Sequence, residues 1–294
     1  MADTQKLLAD LQSKDKDIRF AAWRAADGSN ADAIPQLGKL AGSSDPGIAK
    51  AARETLTTMT HSVGRDTSGR GPVVAGLLKI TSTEYPVPAR TLAFRLLSMS
   101  AGEDSIPAIV KSLSAPDVRE EAIYAVERIP GPAANRALIA AYKDAKDDFK
   151  PRILFALGHR RAEDAAALCA DAMRSQNKDV SVAASRAFGR IGKKLAASPK
   201  YPDGGLSFQQ TVDVNDAQLR YADGQAGQGA TAEALRAYKT FLDRPEEHLQ
   251  CAAIVGIAKL GTPEAAAAIQ PKLSSTDRKV RITAANAWKA MAKG

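Results

Sequence analysis

Aromatic side chains are scarce in this 294-residue chain, at 5% with only two tryptophans. That leaves little flat surface for stacking bases or holding a large planar ligand. Cysteine is scarcer still: Cys169 and Cys251 cannot build the bridged scaffold of a small secreted domain, and their alanine-rich settings read as buried core thiols. The three histidines, His61, His159 and His248, form no H-x-x-x-H, and no C-x-x-C or Gly-x-Ser-x-Gly occurs. A zinc site would rest on His248 and Cys251 alone, short of the roughly three protein ligands that zinc requires, so a partly buried core pair is expected instead. No metal or other cofactor is expected, and no catalytic constellation assembles. Long hydrophobic runs are also missing. Nothing approaches the ~18–20 apolar residues that cross a bilayer. The start, Met1-Ala2-Asp3-Thr4-Gln5-Lys6, lacks the charged and apolar regions of a signal peptide, so a cytoplasmic location away from membrane is expected.

Charge is unbalanced without being concentrated. Lys and Arg number 41 against 33 Asp and Glu, giving +8 and a pI near 9.4, yet no run of consecutive Lys or Arg exceeds two. The bias favours an acidic partner without naming one.

What the chain does contain is repetition. An Asp-bearing turn, an apolar residue, often Arg, and then alanine-rich text recur about eight times. Asp17-Ile18-Arg19-Phe20-Ala21-Ala22, Asp117-Val118-Arg119-Glu120-Glu121-Ala122 and Asp277-Arg278-Lys279-Val280-Arg281 are three copies. The apolar residues opening the second helix of each pair fall at Ile18, Ile48, Ala89, Val118, Phe149, Val180, Leu249 and Val280. The steps Val118–Phe149, Phe149–Val180 and Leu249–Val280 are each 31 residues. A period between about 20 and 50 residues marks stacked supersecondary units, and this one has room for two helices of roughly 12 residues. First helices are expected at 31–40, 71–80, 105–113, 133–142, 163–173, 232–242 and 263–273, each with apolar residues at helical spacing. Asp45, Asp117, Asp148, Asp179 and Asp277 are placed to cap helix starts. Arg19, Arg119 and Arg281 are placed to reach an Asp of a neighbouring unit.

The pattern D-x-x-V-R-x-x-A, followed by a helix and then Leu157-Gly158, Ile191-Gly192 or Leu260-Gly261, resembles HEAT repeats. It is especially similar to the short variety known from phycobilisome lyase subunits. The resemblance covers most of residues 1–292. Tyr85-Pro86-Val87-Pro88 departs from it where an Asp turn would stand. It implies an all-α fold, a right-handed α-solenoid of about eight HEAT-like helical hairpin repeats, running through 1–294 as a single domain. Such repeats serve scaffolds, lyases, DNA-repair proteins and transport factors alike.

Two insertions interrupt the period, at about 57–71 and 193–230. Both leave a second helix, so both are expected on one edge. Arg65 and Arg70 among glycines suggest a phosphate loop, but the Walker Lys-Ser/Thr and a preceding strand are missing. The longer insertion, rich in Gly, Asp, Gln and Pro, carries Tyr201, Leu206, Phe208, Val212, Val214, Leu219 and Tyr221, which point to partial order.

The resemblance puts second helices on a concave side. Six residues past each origin stand Arg24, Glu54, Arg95, Tyr124, Phe155, Arg186, Val255 and Asn286, and ten past stand Arg128, His159, Arg190 and Lys259. Arg95, Tyr124, Arg128, Phe155, His159, Arg186 and Arg190 combine the aromatic and Arg character of interface anchors, and they are the candidate partner-binding residues. Helix C-termini attract cations without any ligand, which is the plain alternative. The expected function is a non-enzymatic scaffold that binds a protein partner, acidic by the charge bias, on the concave second-helix surface and the loop-bearing edge. The alternatives are a phycobilin-lyase-like enzyme or subunit handling a tetrapyrrole, implied by the resemblance, and nucleic-acid binding in a basic groove. Trp23 and Trp288 lie too far apart in the repeat for one aromatic channel of the kind found in HEAT-like DNA glycosylases.

Overall fold

Capping residues decide where the helices start. Asp15 accepts from the Asp17 amide, Asp45 from Gly47 and Ile48, Asn177 from Asp179 and Val180, and Asp277 from Val280. Each occupies amides that a first helical turn cannot bond internally. The computed structural model describes residues 2–64, 69–197 and 199–292, and its described residues are helix, turn or extended chain without a strand. The chain forms two compact units, Met1–Ala145 and Lys146–Gly294.

The first unit contains α1 (Ala2–Asp10), α2 (Lys16–Ala25), α3 (Ile34–Leu40), α4 (Pro46–Val63), α5 (Arg70–Ile80), α6 (Val87–Ser100), α7 (Ile106–Ile109), α8 (Arg119–Arg128) and α9 (Pro132–Asp144). Gly28–Ala33 leads into α3 as a 3-10 turn, and 3-10 turns Glu103–Ser105 and Val110–Ser114 flank α7. The second helices stack in sequence, α2 on α4, α4 on α6 and α6 on α8, with α3 and α5 packed against them. Leu37, Leu56, Met59, Leu77, Ile80 and Phe94 fill the space between the layers. Buried Arg90 of α6 ties the stack by pairing with Asp117, in the turn ahead of α8. Arg19 meets its expected neighbour: after the Ile48 and Gly47 amides, it helps to lower the pKa of Asp45 in the next helix pair, and it also donates to the Ser13 and Lys14 carbonyls. The expected cross-unit role of Arg281 is replaced by a local one, donation to the carbonyls of Ser275 and Thr276. Asp179 lies inside its helix, with Asn177 as the cap. Most of the expected insertion at 57–71 is helix as well, because α4 continues to Val63 and α5 opens at Arg70; Arg65 lies outside the described residues.

The second unit contains α10 (Lys150–His159), α11 (Ala166–Ala172), α12 (Lys178–Ile191), α13 (Phe208–Gly227), α14 (Thr231–Leu242), α15 (Glu247–Ala258), α16 (Pro263–Ile269) and α17 (Arg278–Met291). Within the expected 193–230 insertion, 20 residues form α13. A reciprocal cap starts that helix: the Ser207 hydroxyl accepts from the Gln210 amide, and the Gln210 side chain accepts from the Ser207 amide. Val214, Ala217, Tyr221 and Ala222, at helical spacing, bury its inner face.

Contacts at both ends show α13 lying parallel to α12. Near the starts, Gln210 donates to Asp179 and Lys178 donates to the Gly204 carbonyl. Near the ends, Gln225 and Gln228 donate to the carbonyl of Gly192, the left-handed residue (φ +66°) that closes α12. Parallel neighbours are the relation of successive second helices. Thr211, 31 residues after Val180, therefore takes the register of a repeat origin. The return chain before it has no helix among its described residues, and stands where a first helix would be expected.

Polar links fasten α14 to α13, among them Gln218 donating to the Thr240 hydroxyl at 3.0 Å. Tyr221 donates to buried Glu233, and Tyr238 donates to Asp223. Burial first, and then the neighbouring carboxylate, pushes both phenols above their ordinary pKa. Tyr238, Phe241, Ile254, Ile257, Ile269 and Val280 form the core beyond, with Trp288 packed against it. Cys169 is buried, and desolvation pushes its thiol up to about 12. Of the partly buried pair expected at His248 and Cys251, Cys251 is partly buried and accepts from the Thr283 hydroxyl, while His248 is exposed.

A candidate interaction surface on the second helices

The helical period dictates the outward face. A second helix buries one stripe against its neighbours, and residues six and ten past its start come round to the opposite side. In the first unit this exposes Tyr124 at 40%, with Arg128 one turn along and its guanidinium 5.3 Å from the ring centroid. Arg95, on α6, reaches Glu121 of α8 at 3.4 Å and keeps most of its side chain in solvent. The structure thus gathers Arg95, Tyr124 and Arg128 on the α6 and α8 helices. Toward the start of this unit, Arg24 stands 5.6 Å over exposed Phe20, itself edge-on to Trp23 at 5.2 Å.

The second unit brings Phe155, His159, Arg186 and Arg190 together on α10 and α12. Phe155 is 43% exposed and stacks on His159, with centroids 6.0 Å apart and planes 12° from parallel. Arg190 crosses from α12 to place its guanidinium 5.2 Å from the same ring. Arg152, one turn before Phe155, stands 5.3 Å from it. Each cation–π contact of this exposed kind contributes about 0.5–1 kcal/mol. Arg186 pairs with Asp213 of α13 at 3.3 Å. Beside these groups, α10, α12 and α13 border a half-open cavity of about 270 Å³, lined by the apolar side chains of Phe155, Val182 and Ala183 and by Arg186, Arg190, Asp179 and Asp213.

Arg152, Asp213, Val182 and Ala183 lie outside the positions that repeat counting picks out. Arg152 stands three residues past an origin, outside the positions counted. Asp213 was hidden because its helix read as an insertion, although the Ser207–Gln210 cap pattern and the apolar spacing of α13 were both available as signals.

The basic groups have a plain structural reason to be present. Arg128, His159 and Arg190 all occupy the last turn of their helices, where the dipole favours a cation by roughly 0.3–1 kcal/mol. That reason does not extend to Tyr124 and Phe155, whose exposed rings gain nothing from a helix dipole.

No family model matches the chain, and no curated protein matches its sequence. Among solved structures, the crystal structure of an engineered protein aligns over 100% of this chain and 90% of its own, at 19% identity and a TM-score of 0.44. A chain in a homology model of the full-length AP-3 complex in an intermediate open conformation aligns at 13% identity and a TM-score of 0.50, covering 98% of this chain and 53% of that one. This chain therefore spans about half the length of that relative. The likeness is one of fold: an all-helical chain distantly similar to a helical-repeat subunit of a complex.

Proposed function

We propose that the chain is a non-enzymatic scaffold whose units are HEAT-like repeats of right-handed α-solenoid type, binding a protein partner through the outward faces of its second helices. The observation carrying this reading is the pair of exposed aromatic rings, Tyr124 and Phe155, each held by arginine on a face that the helix stack leaves uncovered. Aromatic and Arg side chains anchor protein interfaces, since they bury large area with few rotatable bonds and offer directional donors. The net charge of +8 suits an acidic partner and its electrostatic steering. In an affinity capture from lysate of the source cells, Arg128→Ala, Phe155→Ala and Arg186→Ala combined are expected to abolish recovery of the partner. Unchanged recovery would remove these residues from the interface.

Cationic groups around Phe155 also favour a second reading, single-stranded nucleic acid with a base stacked on the ring. Such binding must weaken by orders of magnitude between about 50 and 200 mM salt, so a flat response in a filter-binding titration would eliminate it.

A further inference from the structure

We infer that the cavity between α10, α12 and α13 seats one apolar side chain of an acidic peptide segment, with Arg190 receiving the adjacent carboxylate. This rests on the scaffold reading and specifies the partner's chemistry at one place. Size is the first argument. The cavity, about 270 Å³ and half open to solvent, has room to receive an apolar side chain from outside. Phe155, Val182 and Ala183 give that side chain an apolar lining.

Charge complementarity is the second argument. Both carboxylates beside the cavity already have donors within the unit: Asp213 accepts from Arg186 at 3.3 Å and from Gln209 at 3.3 Å, and Asp179 accepts from Gln210 at 3.0 Å. Arg190 is different. Among the described residues its guanidinium makes no ion pair or hydrogen bond, and it rests over the Phe155 ring. A planar fork of donors held in place by an aromatic face is organised for bidentate contact with a carboxylate. The incoming group is therefore an anion, and the apolar lining beside it asks for a neighbouring hydrophobic residue. Acidic and apolar side chains close together on one segment meet both demands.

The test is selection of a phage-displayed library of random 12-residue peptides on the full chain. Enriched peptides are then remade with a fluorescein label and titrated by anisotropy, beside a labelled 20-nucleotide single-stranded DNA. Enrichment of Asp or Glu beside Leu, Ile, Met or Phe is expected. Ala183→Phe, which fills the cavity from its partly exposed wall, and Arg190→Glu are each expected to weaken binding at least tenfold. Both should leave the circular dichroism spectrum unchanged; Arg190→Glu, which loses a helix-end cation and its ring contact, should melt slightly lower, and Arg190→Lys should bind better than Arg190→Gln. Enriched peptides without acids, equal binding to both variants, or tighter binding of the DNA would overturn the proposal. Lysate capture separates the two levels. A partner recovered equally by wild type, Ala183→Phe and Arg190→Glu overturns the cavity while leaving the scaffold standing. No partner and no enriched peptide overturns both.

Discussion

At the scale of single residues, the helix-capping carboxylates link the repeat to solution conditions. Amides of Ile48 and Gly47 hold the Asp45 carboxyl below its ordinary pKa, with a lesser contribution from Arg19. The Val280 amide leads the same effect at Asp277, and the Ser29 hydroxyl and amide do so at Asp27. A carboxyl with a depressed pKa in the folded state stabilises the fold above its unfolded pKa, near 4, and loses that contribution as pH falls through the folded value. The melting temperature of the wild type should therefore drop more steeply below about pH 4 than that of Asp45→Asn. Asparagine still caps a helix but has no proton to gain, so the two should nearly coincide at neutral pH. A pH series of thermal melts checks this, and parallel acid limbs would refute it. The caps at Asp45 and Asp277 were legible in the sequence, whereas at the expected caps Asp117, Asp148 and Asp179 the cap positions are held by Val118, Phe149 and Asn177. The fate of individual aspartates was less legible. Asp117 pairs with Arg90, 27 positions earlier, and spacing within one unit cannot show which residues of the next unit lie overhead.

At the scale of elements, α13 shows how a helix escapes notice. Its segment lacks the Asp turn and the Ala-rich text, and the preceding chain carries Pro199, Pro202, Gly204 and Gly205, which read as punctuation. The helix is instead specified by its reciprocal cap and by Val214, Ala217, Tyr221 and Ala222, which fill the slot beside α12. Losing the cap should cost about 1 kcal/mol, so Ser207→Ala is expected to shift the urea midpoint downward with an unchanged slope. An unaltered midpoint would mean that packing alone fixes the helix start. Removing α13 altogether would strip the partner from one side of α12, so truncation there tests stability before it tests binding. The first helices were easier to read: the segment expected at 232–242 is α14 within a residue, because Leu235, Tyr238, Phe241 and Leu242 share one buried face at helical spacing. The candidate site was half legible. The period shows which side chains turn outward, but the Arg190–Phe155 contact and the cavity depend on how far α12 stands from α10 and α13.

At the scale of the whole molecule, stability is distributed through neighbour contacts, with each helix leaning mainly on adjacent elements. A local defect should therefore stay local. Gly189 of α12 lets α13 come close: a Cβ there would lie 2.3 Å from the Ala217 carbonyl oxygen. Gly189→Ala forces the two helices apart, at a cost of about 1–3 kcal/mol. Hydrogen exchange should show lost protection across α12 and α13 with α2, α4 and α6 unaffected, whereas uniform loss would indicate one cooperative whole. The chain leading into α13 carries a different consequence. Lys193, Lys194 and Lys200 are exposed there on backbone that no helix protects, while α12 and α13 pack along their length. Brief trypsin treatment should cut this stretch first and leave a nicked protein that runs as one species on a native gel and as two bands once denatured. The covalent link between the two helices is then a convenience of synthesis, and fragments made separately should find each other and complement.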